Sequence, residues 1–303
     1  MKNLTDYIAE AYEYNYNISN VPKYTSTGTD KVGINKTNNK TNNKTNYTVQ
    51  PKNKNELMYI ITSTFKIKQY DLNFIDTSKI TDMSELFINI NHNFDVSKWD
   101  VSNVTNMSQM FFYCKNFDCD LSNWDVSNVT TMNNMFDGCD NFKAKGLENW
   151  NVSKVEDMRY MFYKCKNFNC DLSSWNVSNM TNMSGMFGYC WNWIGKGIEN
   201  WNVSKVTNMA YMFEECTYFN CDLSKWNVSK VTNMDHMFKS CIEFEGIGLE
   251  NWNVSKVTDM DHMFYFCKEF KCNLSKWKVS NVTNMNQMFA KTAITKTPRW
   301  YKE

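Results

Sequence analysis

The sequence predicts a repeat solenoid of about nine coils, each about 25–26 residues long and built from one short parallel strand and one short α- or 3₁₀-helical turn. Three observations predict it. Trp99, Trp124, Trp150, Trp175, Trp201, Trp226, Trp252 and Trp277 are separated by 25 and 26 residues in strict alternation, and a fixed period is the signature of a repeat architecture. Met follows each Trp by eight residues, Met-Phe by eleven and twelve, and in seven of the eight units a Cys by fifteen. A unit this short cannot bury both of its faces, so neighbours must stack and share one core.

The elements follow in order. Residues 1–20, with NLTDYIAEAYEYN, read as a short amphipathic helix, and 21–53, with NKTNNKTNNKTNYT, as a polar low-complexity linker with too few apolar groups to offset ordering entropy. The stretch NKNELMYIITSTF, which starts at residue 53, has an Asn cap followed by apolar residues at helical spacing and predicts a capping helix over 54–70, covering the first coil. The coils occupy 71–290; the first is degenerate, IDTSKITDMSELF, with Ile75 in the Trp place. In FNCDLSKWNV apolar and polar residues alternate near the end, which suits a strand. In VTNMDHMF apolar residues fall every three or four, with Thr or Asn placed to cap a helical turn. Two kinds of unit alternate over 51 residues, one ending in a second Cys (CDLSNW) and the other in a glycine-bearing insert (KAKGLENW, IGKGIENW, EGIGLENW). Residues 291–303, where the Cys is lost to Thr292, read as a C-terminal cap.

The order MF, two residues, C, two residues, F, then LSxW, VSxV, TxM resembles the BspA-type leucine-rich repeat family, in the branch carrying LSxWDVSNVTNMSxMFxxC, over about residues 70–290. The resemblance implies a leucine-rich-repeat-like fold, a bacterial surface or adhesion role, and binding rather than catalysis. Typical members are exported. This sequence shows no secretory signal, lipobox cysteine or run of 18 apolar residues, which as written points to a cytosolic or virion-associated protein. Eleven cysteines, an odd number, then read as reduced thiols.

A net charge of +1 gives no reason to expect nucleic acid, and no segment suggests membrane insertion. No nucleophile elbow, P-loop, dinucleotide fingerprint or HExxH is present, so no enzyme and no cofactor is expected. The eight tryptophans and Cys114, Cys139, Cys165, Cys190, Cys216, Cys241 and Cys267 recur in register and read as core. Pairs such as CKNFDC lack histidine and enclose a core Phe, which argues against zinc. Asp235-His236 and Asp261-His262 occupy the same place in adjacent coils and could bring two imidazoles and two carboxylates to one ion. A polar outer face is the simpler reading of those four, and no metal is expected.

What varies from coil to coil is the set around Met-Phe and after Cys: Tyr160, Tyr163, Tyr189, Trp191, Tyr211, Tyr218, Tyr265 and Phe266. Large aromatics on outer turns where the repeat does not demand them point to recognition of a protein or glycan. The alternative is a structural or assembly protein of an intracellular complex or phage virion.

Overall fold

The computed structural model describes residues 49–302. The helix expected over 1–20 and nearly all of the linker expected over 21–53 lie outside the described residues. Val49 nonetheless forms a parallel bridge with Ile75, and its carbonyl accepts the Asp76 amide at 2.8 Å. Residues 49–53 therefore belong to the folded unit and not to a linker.

Helix α1 spans Lys54–Lys66, stopping short of the expected residue 70. The Asn53 side chain accepts the Glu56 amide at 3.0 Å, satisfying one of the free donors of the first turn. Leu57 and Ile61 are buried, Phe65 packs on Phe87 and Phe94, and Lys54 reaches the Ser84 hydroxyl, so α1 covers the first coil.

Nine coils follow among the described residues, beginning at Ile75 and at each of the eight repeat tryptophans. Among the described residues the expected strands do not form, and helical turns appear in the coils only as the 3₁₀ turns Leu147–Asn149 and Leu249–Asn251, in the glycine-bearing inserts and not in the segment expected to be helical. Parallel pairing is confined to isolated bridges, such as Asn106 with Thr131 and Asn208 with Asn233. The segment expected to be helical is a run of β-turns. In the coil begun by Trp99, the amides of Met107, Gln109, Phe111 and Tyr113 donate to carbonyls of the next coil at 2.7–3.0 Å. The alternate amides of Met110, Phe112 and Cys114 bond to the carbonyl three residues back. An α-turn would direct every amide along its own axis and leave the stacked edges unsatisfied; alternation satisfies both. The apolar spacing of three and four residues is common to the two conformations, which is why the sequence could not separate them.

An interruption lies between Asp157 and Asn182, where among the described residues neither a bridge nor the Met158 amide bond forms. It coincides with Met180, which stands where every other tryptophan coil has Val.

The core is a set of columns. Phe87, Phe111, Phe136, Phe162, Phe187, Phe213, Phe238, Phe264 and Phe289 stack with centroids 5.4–6.0 Å apart. The tryptophans expected in the core lie there: Trp99, Trp124, Trp150, Trp175, Trp201, Trp226, Trp252 and Trp277 are all buried. Each indole N–H donates to the main-chain carbonyl three residues before the start of the preceding coil at 2.8–3.4 Å, Trp124 to Val96, Trp150 to Leu121, Trp201 to Leu172, Trp226 to Ile198 and Trp252 to Leu223 among them. Burial of that large ring needs such a partner for its one polar atom. The Trp rings also meet face to face in places: Trp124 on Trp150 at 6.3 Å and Trp226 on Trp252 at 6.5 Å, the same pairing one 51-residue period on either side of Trp175 and Trp201. Trp300, beyond the last repeat, stacks on Trp277 at 6.2 Å and donates to Leu274, so the C-terminal segment supplies one more member of the column. The seven repeat cysteines are buried and each thiol donates to the carbonyl of the preceding coil's Phe, as Cys190 does to Phe162 at 3.2 Å. All eleven thiols are free.

Two further details of the repeat have local causes. In the D/N-x-S triplets the acid or amide side chain accepts the amide two residues on, as Asp100 does from Ser102 at 3.0 Å, fixing an Asx-turn. In the glycine-bearing inserts Gly146 holds φ at 96° against the main chain of Ser122, a place with no room for a Cβ.

Candidate functional site

The β-turn run places two residues of every coil in the left-handed region, ten and fourteen residues after the Trp. The first column reads Gln109, Asn134, Tyr160, Gly185, Tyr211, His236, His262 and Gln287; the second reads Tyr113, Gly138, Lys164, Tyr189, Glu215, Ser240, Phe266 and Lys291. Such positions favour Gly or Asn, yet aromatic and charged residues fill most of them. Nothing in the letters alone marks these columns as left-handed, because so few are glycine.

Six of the eight expected binding residues come together on this face, in two groups. Tyr160, Tyr163 and Tyr189 form the first, with centroid distances of 5.4 and 5.2 Å and edge-on rings. Glycines in the next coil make room for them: a Cβ on Gly185 would fall 2.2 Å from the Tyr160 ring, and one on Gly188 would fall 2.6 Å from the Tyr163 ring. The Lys164 ammonium lies over both Tyr163 and Tyr189. The second group is a stack of Tyr211, His236 and His262, at 5.0 and 4.9 Å, continued by Tyr265 at 5.3 Å and Phe266 at 6.3 Å. All six are half-buried. Trp191 and Tyr218 stand apart, exposed on later columns; Trp191 carries the Lys166 ammonium over its ring at 5.2 Å.

Two acids directly after Met-Phe, a variable place that reads as outward-facing, are buried under this face. Glu214 is only 5% exposed and accepts the Lys239 ammonium at 2.9 Å. Burial raises the phenol pKa values of Tyr160, Tyr163 and Tyr189, and the Glu214 charge raises them further, Tyr189 to about 12. Asp137 is the second. Its Oδ2 accepts from Asn134 at 2.9 Å while its Oδ1 has no partner, and burial pushes its carboxyl up to about 7. In the letters each is an acid directly after Met-Phe, with no signal of burial.

Of the four metal candidates, His236, Asp261 and His262 each offer a ligand atom, all within 4.8 Å of one another. Asp235 and Asp261 each face Nδ1 of the histidine that follows, Asp235 that of His236 and Asp261 Oδ2 that of His262 at 2.9 Å. Burial would raise the Asp235 carboxyl, but hydrogen bonds from His236 and Tyr211 outweigh that and hold it below the usual range.

Four overlapping stretches, residues 55–146, 119–196, 136–245 and 187–300, match the family described as "Mycoplasma protein of unknown function, DUF285". The chain belongs to this family. Neither a search of curated proteins nor one of solved structures gives a match. The overlap of the DUF285 matches reflects the internal repetition, and their combined span, 55–300, takes in all but the first residue of α1 and reaches every coil. The DUF285 description states no activity, so function must be read from the turn-face columns themselves. None of the described helices is long and apolar enough to cross a membrane.

Proposed function

We propose that this repeat protein is a leucine-rich-repeat-like solenoid of the BspA type and a non-catalytic binding module, recognising a protein or glycan through its turn face. The observation that carries the reading is the contrast between columns. Core columns repeat one residue type and are buried. The left-handed columns change from coil to coil, and Tyr160, Tyr189, Tyr211 and Phe266 hold half-exposed rings there at a conformational cost of about 1 kcal/mol each. Rigid aromatics beside charged groups, here Lys164 and Glu214, are the residues that dominate binding surfaces. A cell-surface setting follows from the family resemblance.

The test is a glycan array and a displayed surface-protein library probed with the full chain, followed by alanine at Tyr160, Tyr163, Tyr189 and Tyr211. A recovered binder should lose at least tenfold in affinity while far-ultraviolet circular dichroism is unchanged. Binders indifferent to all four substitutions would refute the assignment.

One observation favours the assembly reading as a second function. In the last coil the amides of Met285, Gln287, Phe289 and Lys291, which by the repeat would bond to a following coil, find no acceptor among the described residues. An in-register edge of this kind is a template for another chain. Concentration-dependent association in light scattering would support it, and a monomer at every concentration would refute it.

A further inference from the structure

The stacked histidines carry more than recognition by shape. We propose that His236, His262 and Asp261 bind one divalent transition-metal ion, of the zinc class, through one ring nitrogen of each histidine and one carboxylate oxygen.

The ligand atoms of the three residues already lie within 4.8 Å of one another on adjacent coils. A tetrahedral ion with bonds of about 2.0–2.2 Å holds its ligands roughly 3.3–3.5 Å apart, so closure asks for side-chain shifts of about 1 Å and no main-chain movement. Three protein ligands leave the fourth position to water.

Three independent features support the site. Asp261 Oδ2 pairs with Nδ1 of His262 at 2.9 Å, which leaves Nε2 of that ring for an ion, while Asp261 Oδ1 is shielded from solvent and accepts no hydrogen bond, an orphan acceptor that a cation would satisfy. Asp235 holds Nδ1 of His236, which fixes the tautomer and leaves Nε2 as the lone pair to give; a carboxylate behind a ligating imidazole is the usual arrangement at metal centres. The rings are also clamped, with Tyr211 stacked on His236 and Tyr265 against His262. The placement is unlike that of any other coil. Residues nine after the Trp are Ser108, Asn133, Arg159, Ser184, Ala210 and Asn286 elsewhere, and only these two coils put Asp there, each followed by His. Both histidines hold left-handed φ, 55° and 51°, which Asn or Gly would adopt at less cost. The repeat does not require them.

The test uses the full chain, stripped with chelator and titrated with Zn²⁺ by calorimetry and with Co²⁺ by absorption. One ion per chain is expected, with a cobalt spectrum free of an intense thiolate band. His236→Asn and His262→Asn keep the backbone conformation accessible, and each should weaken binding at least tenfold. Asp235→Asn should weaken it roughly tenfold through ring orientation. Saturable uptake that persists in the His236→Asn/His262→Asn double variant, a thiolate band, or no uptake at millimolar ion would each overturn the assignment.

Discussion

Replacing Gly146 by alanine tests the close stacking of coils most directly. Gly146 holds φ 96° and ψ −13°, outside the region an L-residue reaches without strain, at a cost of roughly 1–2 kcal/mol. Its added Cβ would also lie 2.2 Å from the Ser122 main-chain nitrogen and 2.5 Å from its Cα, against ordinary contact from 3.4 Å. Neither atom can rotate away, so the two coils must part by about 1 Å and strain the Leu121 amide bond to Lys145, now 3.1 Å. Overpacking of this kind costs about 1–3 kcal/mol, giving a total of about 2–5 kcal/mol. Guanidinium unfolding followed by tryptophan fluorescence should show a midpoint lowered by roughly 0.4–1 M. Gly185→Ala is the contrast. Its φ of 62° is tolerable for alanine, and its Cβ meets only the Tyr160 ring, which can swing aside. It should cost about 1 kcal/mol and displace Tyr160 from the face. Equal losses in the two variants would refute the argument from close main-chain approach.

Two further outcomes follow from buried titratable groups. The Asp137 carboxyl, at about 7 in the folded chain against 3.8 ordinarily, binds its proton more tightly when folded. Its contribution is therefore fully present below pH ~4 and is lost as pH rises toward 7, by on the order of 4 kcal/mol at most. Asp137→Asn should match the parent in stability below pH ~4 and exceed it increasingly from there to pH 7.5; a gap that does not change with pH would contradict this. The thiols form the second case. Burial pushes every cysteine up, Cys272 least, to about 11, while Cys119, Cys170 and Cys221 reach about 12. Native alkylation at pH 8 should label Cys272 first and leave the seven repeat cysteines unmodified over hours, as read by intact mass; even labelling of all eleven would show that the core opens freely.

Much of this was legible because each core column needs one side-chain type. A tryptophan must deliver an indole N–H to the carbonyl three residues before the start of the preceding coil, and a cysteine must fit a thiol beneath a phenylalanine carbonyl, so Trp175 and Cys190 announce themselves by recurrence. The turn run was misread as helical because Met107, Met110, Phe111 and Cys114 show the same three-and-four spacing in consecutive β-turns. The left-handed columns were invisible for a related reason. Their signal would be Gly or Asn, and apart from Asn134, Gly138 and Gly185 they carry other residues. The aromatic set was found by its variability, but its division into the Tyr160 and Tyr211 groups depends on which coils carry glycine, and only the stacked geometry shows that. Glu214 and Asp137 looked like surface acids because burial at this register depends on neighbours 25 residues away.

The separation of columns also decides whether the tyrosines serve the fold or a ligand. Tyr160 is half-buried at a left-handed position, with a ring lying over Gly185 and edge-on to Tyr163. Tyr160→Gly removes that contact area but relieves the backbone, two effects of about 1 kcal/mol and opposite sign, offset further by the entropy glycine adds to the unfolded chain. The net change in unfolding free energy should stay within about 1 kcal/mol. Phe162→Ala, two residues away in the fully buried column, should cost about 3–5 kcal/mol. If Tyr160→Gly were as damaging as Phe162→Ala, the turn-face aromatics would be part of the packing, and their half-exposed rings would no longer argue for a binding surface. If it is near neutral, the chain carries left-handed aromatics that its stability does not need, and a ligand is the remaining physical reason for them.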